Sequence, residues 1–162
     1  MQTFLPFKSF KTTAEILDSR RLNKQILEAY QILKVLSNMS PTGGWRNHPA
    51  VKMWRGHEHS LYQYAMTMVA EANSRGIKTD KNVENIETLR AVAGKEWGFN
   101  KPEWFGNDAI MLKVTTTHRA NLYKKDPEYY ACFNMAVHDV NNQPCCEKCS
   151  YYWVTHKELA NA

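Results

Sequence analysis

Leu22, Ile26, Ala29, Leu33 and Leu36 recur at three- and four-residue spacing, which lines them up along one side of a helix. A chain that repeats apolar residues with this period must bury a helical stripe against another element. The first block is expected to open at a capping box, with Thr12 as cap and Glu15 reaching back, and to end at the loop Ser40-Pro41-Thr42-Gly43-Gly44. A second block, from about Pro49 to Arg75, carries the stripe Leu61, Ala65, Met68 and Ala72, with Gly76 placed as a left-handed C-cap. A short helix is expected around Asn82 to Val92, and Gly94 to Gly106 reads as a loop bearing Trp97 and Trp104. The third block starts at the N-cap pair Asn107-Asp108, runs through Ile110, Met111, Val114 and Leu122, and breaks at Asp126-Pro127. Beyond it, Tyr129, Tyr130, Phe133, Tyr151, Tyr152 and Trp153 show little helical period. No segment alternates as a strand would. The expectation is a mainly α, compact single-domain helical fold over residues 1–162, with an aromatic-rich C-terminal tail.

A chain of 162 residues buries enough apolar surface to fold without disulfides. No apolar run approaches the roughly 18 residues of a membrane span, and the N-terminus lacks a signal-peptide core. The expected setting is the cytoplasm, of a cell or of a virus-infected cell, and the expected state is a monomer. Three of the four cysteines, Cys145, Cys146 and Cys149, crowd together, unlike a secreted disulfide framework. Cys146-x-x-Cys149 has metal-ligand spacing, and Cys145, Cys132, His138 or His156 could complete a structural zinc site. A second clean pair is missing, so reduced thiols are the other reading. No cofactor is required. The net charge of +5 and pI of about 9.0 favour an anionic partner, although where the charge sits matters more than its sum.

Two segments mix residue types suited to nucleic acid: Gly44-Trp45-Arg46-Asn47-His48-Pro49 and Thr117-His118-Arg119-Ala120-Asn121-Leu122. Arginine offers a rigid fork for phosphate, while asparagine and histidine read or polarise polar edges. On the first helix Arg21, Lys24 and Glu28 share a polar stripe, with Gln25 at its edge. The plain reading of such a stripe is a solvated face with intrahelical ion pairs. The apolar start of the chain, Phe4, Leu5, Pro6, Phe7 and Phe10, should dock, however, and bring the α-amine near Glu28. An α-amine ordinarily titrates at about 7.7–8.0, so a useful fraction is a neutral nucleophile at pH 7. Attack on a sugar C1′ gives a Schiff base, and a neighbouring carboxylate can stabilise the cationic transition state and move protons. Arg20, Arg21, Lys24, Arg46, Lys52, Arg55 and Arg119 supply the basic residues of a DNA face. His57 and His59, two positions apart, point to different faces and read as surface.

The ordered set Leu17-Asp18, Leu22, Leu27-Glu28-Ala29, Asn47-His48-Pro49, Ala70-Glu71-Ala72 and Arg75-Gly76 resembles the pyrimidine-dimer DNA glycosylase family of the phage endonuclease V type. The pattern continues with His118-Arg119-Ala120-Asn121-Leu122, Lys125-Asp126-Pro127-Glu128-Tyr129-Tyr130 and Tyr151-Tyr152-Trp153. The resemblance implies an α-helical enzyme that flips a nucleotide from damaged or modified double-stranded DNA, cuts the glycosidic bond with its N-terminal amine and breaks the strand by β-elimination. Glu28 matches the family's catalytic glutamate, with Arg21 and Lys24 as phosphate clamps beside it. Arg46 and His48 match a second helix entrance, and Tyr129-Tyr130 resembles an aromatic run that contacts damaged DNA. The family exposes a small residue after methionine removal, whereas Gln2 is bulky. Met1 is therefore expected to stay and to supply the nucleophile, unless the chain is processed to Thr3. Two other readings stand beside this one: a non-catalytic DNA-binding protein of the same fold, and a nuclease or base-modifying enzyme using His48 and His118.

Overall fold

The structure is a computed structural model that describes residues 1–134 and 151–154. The cysteine cluster considered for zinc, with His138 and His156, lies outside the described residues, whereas Cys132 is an exposed free thiol. Among the described residues there are six α-helices: α1 (Phe10–Ile16), α2 (Ser19–Leu36), α3 (Pro49–Lys52), α4 (Glu58–Ser74), α5 (Asp80–Ala93) and α6 (Asp108–Lys125). The fold is mainly α, as the periodicity predicts, and no strand occurs among the described residues. No helix among them is long and apolar enough to cross a membrane. The chain divides into two units, one of Met1–Thr3 with Phe10–Pro102, the other of Phe4–Ser9 with the chain from Glu103 onward.

In the first unit α2 packs on α4. Leu22, Ile26, Ala29 and Leu33 of one helix and Leu61, Ala65, Met68 and Ala72 of the other are fully buried. α1 lies on α4 as well, with the Phe10 ring edge-on to Tyr64. Two helix boundaries differ from those read in the sequence. Thr12 is not a cap but lies inside α1. The chain breaks at Leu17-Asp18, where the Asp18 carboxylate accepts the Arg21 N–H at 3.2 Å and pairs with the Arg21 guanidinium at 3.0 Å. The block expected from Pro49 to Arg75 is two helices, parted by a turn in which Gly56 takes φ +82°. The buried Glu58 carboxylate holds that turn, accepting the N–H of Gly56 at 3.0 Å and of Gly98 at 2.8 Å. Other boundaries fall where expected. Gly76 sits past the end of α4 at φ +77°, α5 covers the short helix, and the Asn107 side chain caps α6 by accepting the Ile110 N–H at 3.1 Å.

The second unit is built on α6, whose Ile110, Met111, Val114, Ala120 and Leu122 are buried. Here Thr117, His118 and Arg119 hold chain segments in place. His118 is fully buried; its Nδ1 accepts the Leu5 N–H at 2.8 Å, and its ring packs edge-to-face against Phe4 and Tyr151. The Arg119 Nε donates to the Pro6 carbonyl at 2.7 Å, with its guanidinium 4.5 Å from the Phe7 ring centroid. Thr117 Oγ1 accepts the Tyr152 N–H. Tyr130 is fully buried and stacks on Phe133, while Tyr129 stays exposed. The expectation that His118 and Tyr130 face nucleic acid is therefore corrected, whereas Arg119 is half-buried with its Nε spent on Pro6. A mixed polar segment has the same composition whether it grips a ligand or anchors a neighbouring strand of chain.

Candidate active site

Asp18 sets the register of α2, and from that register Arg21, Lys24 and Glu28 rise along one stripe. The stripe is not uniformly solvated. Lys24 is exposed and Arg21 is spent on Asp18, but Glu28 keeps only 7% of its surface and Gln25 none. Burial of Glu28 follows from the start of the chain. The Gln2 N–H donates to Glu28 Oε2 at 2.7 Å, and the Trp54 indole donates to Thr3 Oγ1 at 3.0 Å. Lys24 Nζ lies 3.6 Å from Glu28 Oε1, so both carboxylate oxygens have a cationic or N–H neighbour. Residues 1–3 thus dock through polar anchors on the first unit, a role the apolar pattern of Phe4 to Phe10 does not reveal. At Glu28 the plain reading of the stripe as a solvated face does not hold: its carboxylate is an internal fastening.

Met1 and Glu28 line one cleft of about 300 Å³, together with Gln31, Lys34, Ser40 and Trp45. His48 borders the same region. Its Nδ1 caps α3 by accepting the Ala50 N–H at 3.1 Å, and its ring centroid is 5.4 Å from that of Trp45. Partial burial holds the imidazole below its usual range, assisted by the Met1 ammonium and opposed by Glu28. An acceptor Nδ1 leaves the ring proton on Nε2. A neighbouring polar cleft of about 470 Å³ is lined by Arg46, Asn47, Arg55 and Asn38. There Arg46 donates to Asn38 Oδ1 at 2.9 Å, and Arg55 to the Arg46 carbonyl at 2.6 Å. Both guanidiniums remain exposed, a cationic pair open to an anion. Arg20 is exposed near the start of α2.

The structure therefore gathers Met1 and Glu28 in one cleft, with Lys24 paired to Glu28 and His48 beside Trp45 of its wall, and Arg46 and Asn47 in the next, leaving His118, Arg119, Tyr129 and Tyr130 in the second unit. A family comparison draws its boundary in a similar place. The sequence pattern of the pyrimidine dimer DNA glycosylases matches residues 1–85. The chain belongs to that family. The matched segment holds every residue of both clefts and stops short of His118 to Tyr130. No curated protein and no solved structure matches the chain significantly. Membership makes this a DNA-repair glycosylase lineage, with DNA as its class of substrate.

Sequence reasoning missed Thr3, Trp54, Gln2 and Glu58. The bonds that give them roles span 51 positions for Thr3–Trp54, 26 for Gln2–Glu28 and 40 for Glu58–Gly98, separations that no local pattern encodes.

Proposed function

We propose that this protein is a DNA glycosylase with AP lyase activity on a pyrimidine lesion or modified base, acting through the Met1 α-amine. One observation carries the reading. The Gln2 N–H bond to Glu28 holds residue 1 in the cleft that the same carboxylate lines. The neutral amine attacks C1′ of the target sugar as the bond from C1′ to the base breaks. The base leaves with the bonding electrons and picks up a proton. Opening of the sugar ring at O4′ gives the imine between Met1 and C1′. Loss of a C2′ proton then expels the 3′ phosphate by β-elimination, and water frees the amine. Glu28, 2.7 Å from the Gln2 nitrogen, is positioned to offset the cationic charge that grows at C1′ and to carry protons between these steps. Arg46 and Arg55 supply the phosphate-binding cations. Every group invoked belongs to the chain, so the reaction asks for no cofactor.

Borohydride tests the reading, because it reduces an imine to a stable covalent adduct. The free protein should be trapped on duplex DNA carrying a pyrimidine dimer, and protein acetylated at its N-terminus should bind the duplex without being trapped. Robust trapping of the acetylated protein would move the nucleophile to a lysine, with Lys24 the first candidate. Tight binding without trapping by the free protein would favour a DNA-binding protein that has lost catalysis.

A further inference from the structure

The cations around Met1 and Glu28 differ in what already holds them. Arg21 pairs with Asp18, Lys24 lies 3.6 Å from Glu28 Oε1, and Arg46 donates to Asn38 Oδ1 in the neighbouring cleft. Lys34 lines the cleft of Met1 and Glu28, is half-buried, and takes part in no ion pair among the described residues. Its backbone is fixed by the way α2 ends. Asn38 takes φ +58°, the Met39 N–H turns back to the Lys34 carbonyl at 3.0 Å, and the Ser37 N–H bonds that of Leu33 at 2.9 Å. A left-handed closure of this kind locks the last turn, and the negative end of the helix dipole favours an ammonium there. Glu28, Gln31 and Lys34 recur at three-residue spacing along one side of α2, and all three line the cleft. The rise from Glu28 to Lys34 is about 9 Å, which the lean of helical side chains toward the N-terminus shortens. A sugar held at Glu28 can therefore present its own phosphate to Lys34.

We propose that Lys34 binds the 3′ phosphate of the attacked sugar and stabilises the charge that phosphate gains as β-elimination expels it. This rests on the glycosylase reading above and concerns its second half. Once the imine has formed, Glu28 takes the C2′ proton. The C2′–H electron pair becomes the C2′–C3′ double bond, the C3′–O bond breaks, and its pair stays on the departing oxygen. A phosphodiester with one negative charge thereby becomes a monoester with nearly two. A cation placed where charge develops speeds the step in which it develops. Lys24 already offsets Glu28, and Arg46 and Arg55 line the next cleft, which leaves Lys34 as the ammonium for this oxygen. The contact is with sugar-phosphate alone, so it is the same whatever base the lesion carries.

The test uses duplex DNA with an abasic site, saturated with protein, and reads two steps apart: imine formation by borohydride trapping, and β-elimination by strand cleavage without borohydride. Lys34→Met keeps the apolar stem and loses the charge. It should form the imine at close to the wild-type rate but cleave the strand about 10- to 150-fold more slowly, the range expected for loss of one charge-assisted hydrogen bond. The imine should then accumulate, so that borohydride added late captures more of the variant than of the wild type. Lys34→Arg should restore most of the cleavage. Trapping and cleavage slowed alike would make Lys34 a binding residue, and trapping abolished would make it the nucleophile; either overturns the proposal, as does no change in either step. A wild-type protein that is never trapped sinks the α-amine reading and takes the proposal with it. Normal wild-type trapping with no delay of cleavage in Lys34→Met overturns the proposal alone.

Discussion

Arg75 donates from Nη1 to the carbonyl of Leu17 at 2.7 Å, across 58 positions of sequence. Its Nη2 bonds the Ala14 and Glu15 carbonyls at 3.1 and 3.0 Å, and Glu71 steadies the guanidinium at 2.8 Å. The last carbonyls of α1, which a helix end leaves without internal partners, are thus closed by a side chain from the end of α4. Arg75→Met should cost about 2–3 kcal/mol, the scale of charge-assisted hydrogen bonds to groups left unpaired. Urea unfolding should show a lower midpoint at unchanged slope, with Arg75→Lys between the two. An unchanged midpoint would make the contact incidental.

Glu28 separates catalysis from anchoring through two substitutions. Glu28→Gln keeps an acceptor for the Gln2 N–H, so the fold should survive while imine trapping slows by about 10²–10⁴-fold. Glu28→Ala should lose activity and also about 1–3 kcal/mol of stability, because the Gln2 N–H is then buried without its partner. Trapping by Glu28→Gln at the wild-type rate would remove the carboxylate from the mechanism.

Salt should distinguish cations that meet DNA from those that hold the protein. Each phosphate neutralised adds roughly −0.9 to the slope of log affinity against log salt. Arg46→Ala should reduce that slope by about 0.9 across sequences, with little change in melting temperature. Arg119→Ala should melt earlier, since its guanidinium is committed to Pro6 and Phe7. A wild-type slope near zero would rule out duplex DNA as the partner.

Acid should expose His118. Complete burial lowers its pKa from 6.5 to about 3. Above pH 6.5 the ring is neutral whether folded or unfolded, and this contribution to stability is intact. Between pH 6.5 and about 3 the unfolded chain takes up a proton that the folded chain refuses, so stability falls as the pH drops, by up to about 1.4 kcal/mol per pH unit. His48, also lowered, acts in the same direction. Urea midpoints measured from pH 4.5 to 7.5 should decline less steeply for His118→Asn than for the wild type; parallel curves would contradict the assignment.

The helical stripes of α2 and α4, the Asn107 cap and the left-handed Gly76 were legible because each is a local rule that neighbours can state. The breaks at Asp18 and Gly56 were not, since a guanidinium from α4 and the N–H of Gly98 help to hold them. Glu28 illustrates the same limit within the site. Its spacing put it on a polar stripe of α2, but only the bond from the Gln2 N–H turns that residue inward. His118 shows the converse, a polar residue whose partner, Leu5, lies 113 positions away.

Gly98 brings its backbone so near Gly56 that a Cβ there would sit 2.0 Å from the Gly56 oxygen. Its neighbour Phe99 is 70% exposed. Two adjacent codons therefore carry opposite mutational freedom. In a saturation library sorted for folded protein, position 99 should accept nearly anything and position 98 only glycine, so that the loop evolves freely at its tip while its base stays locked.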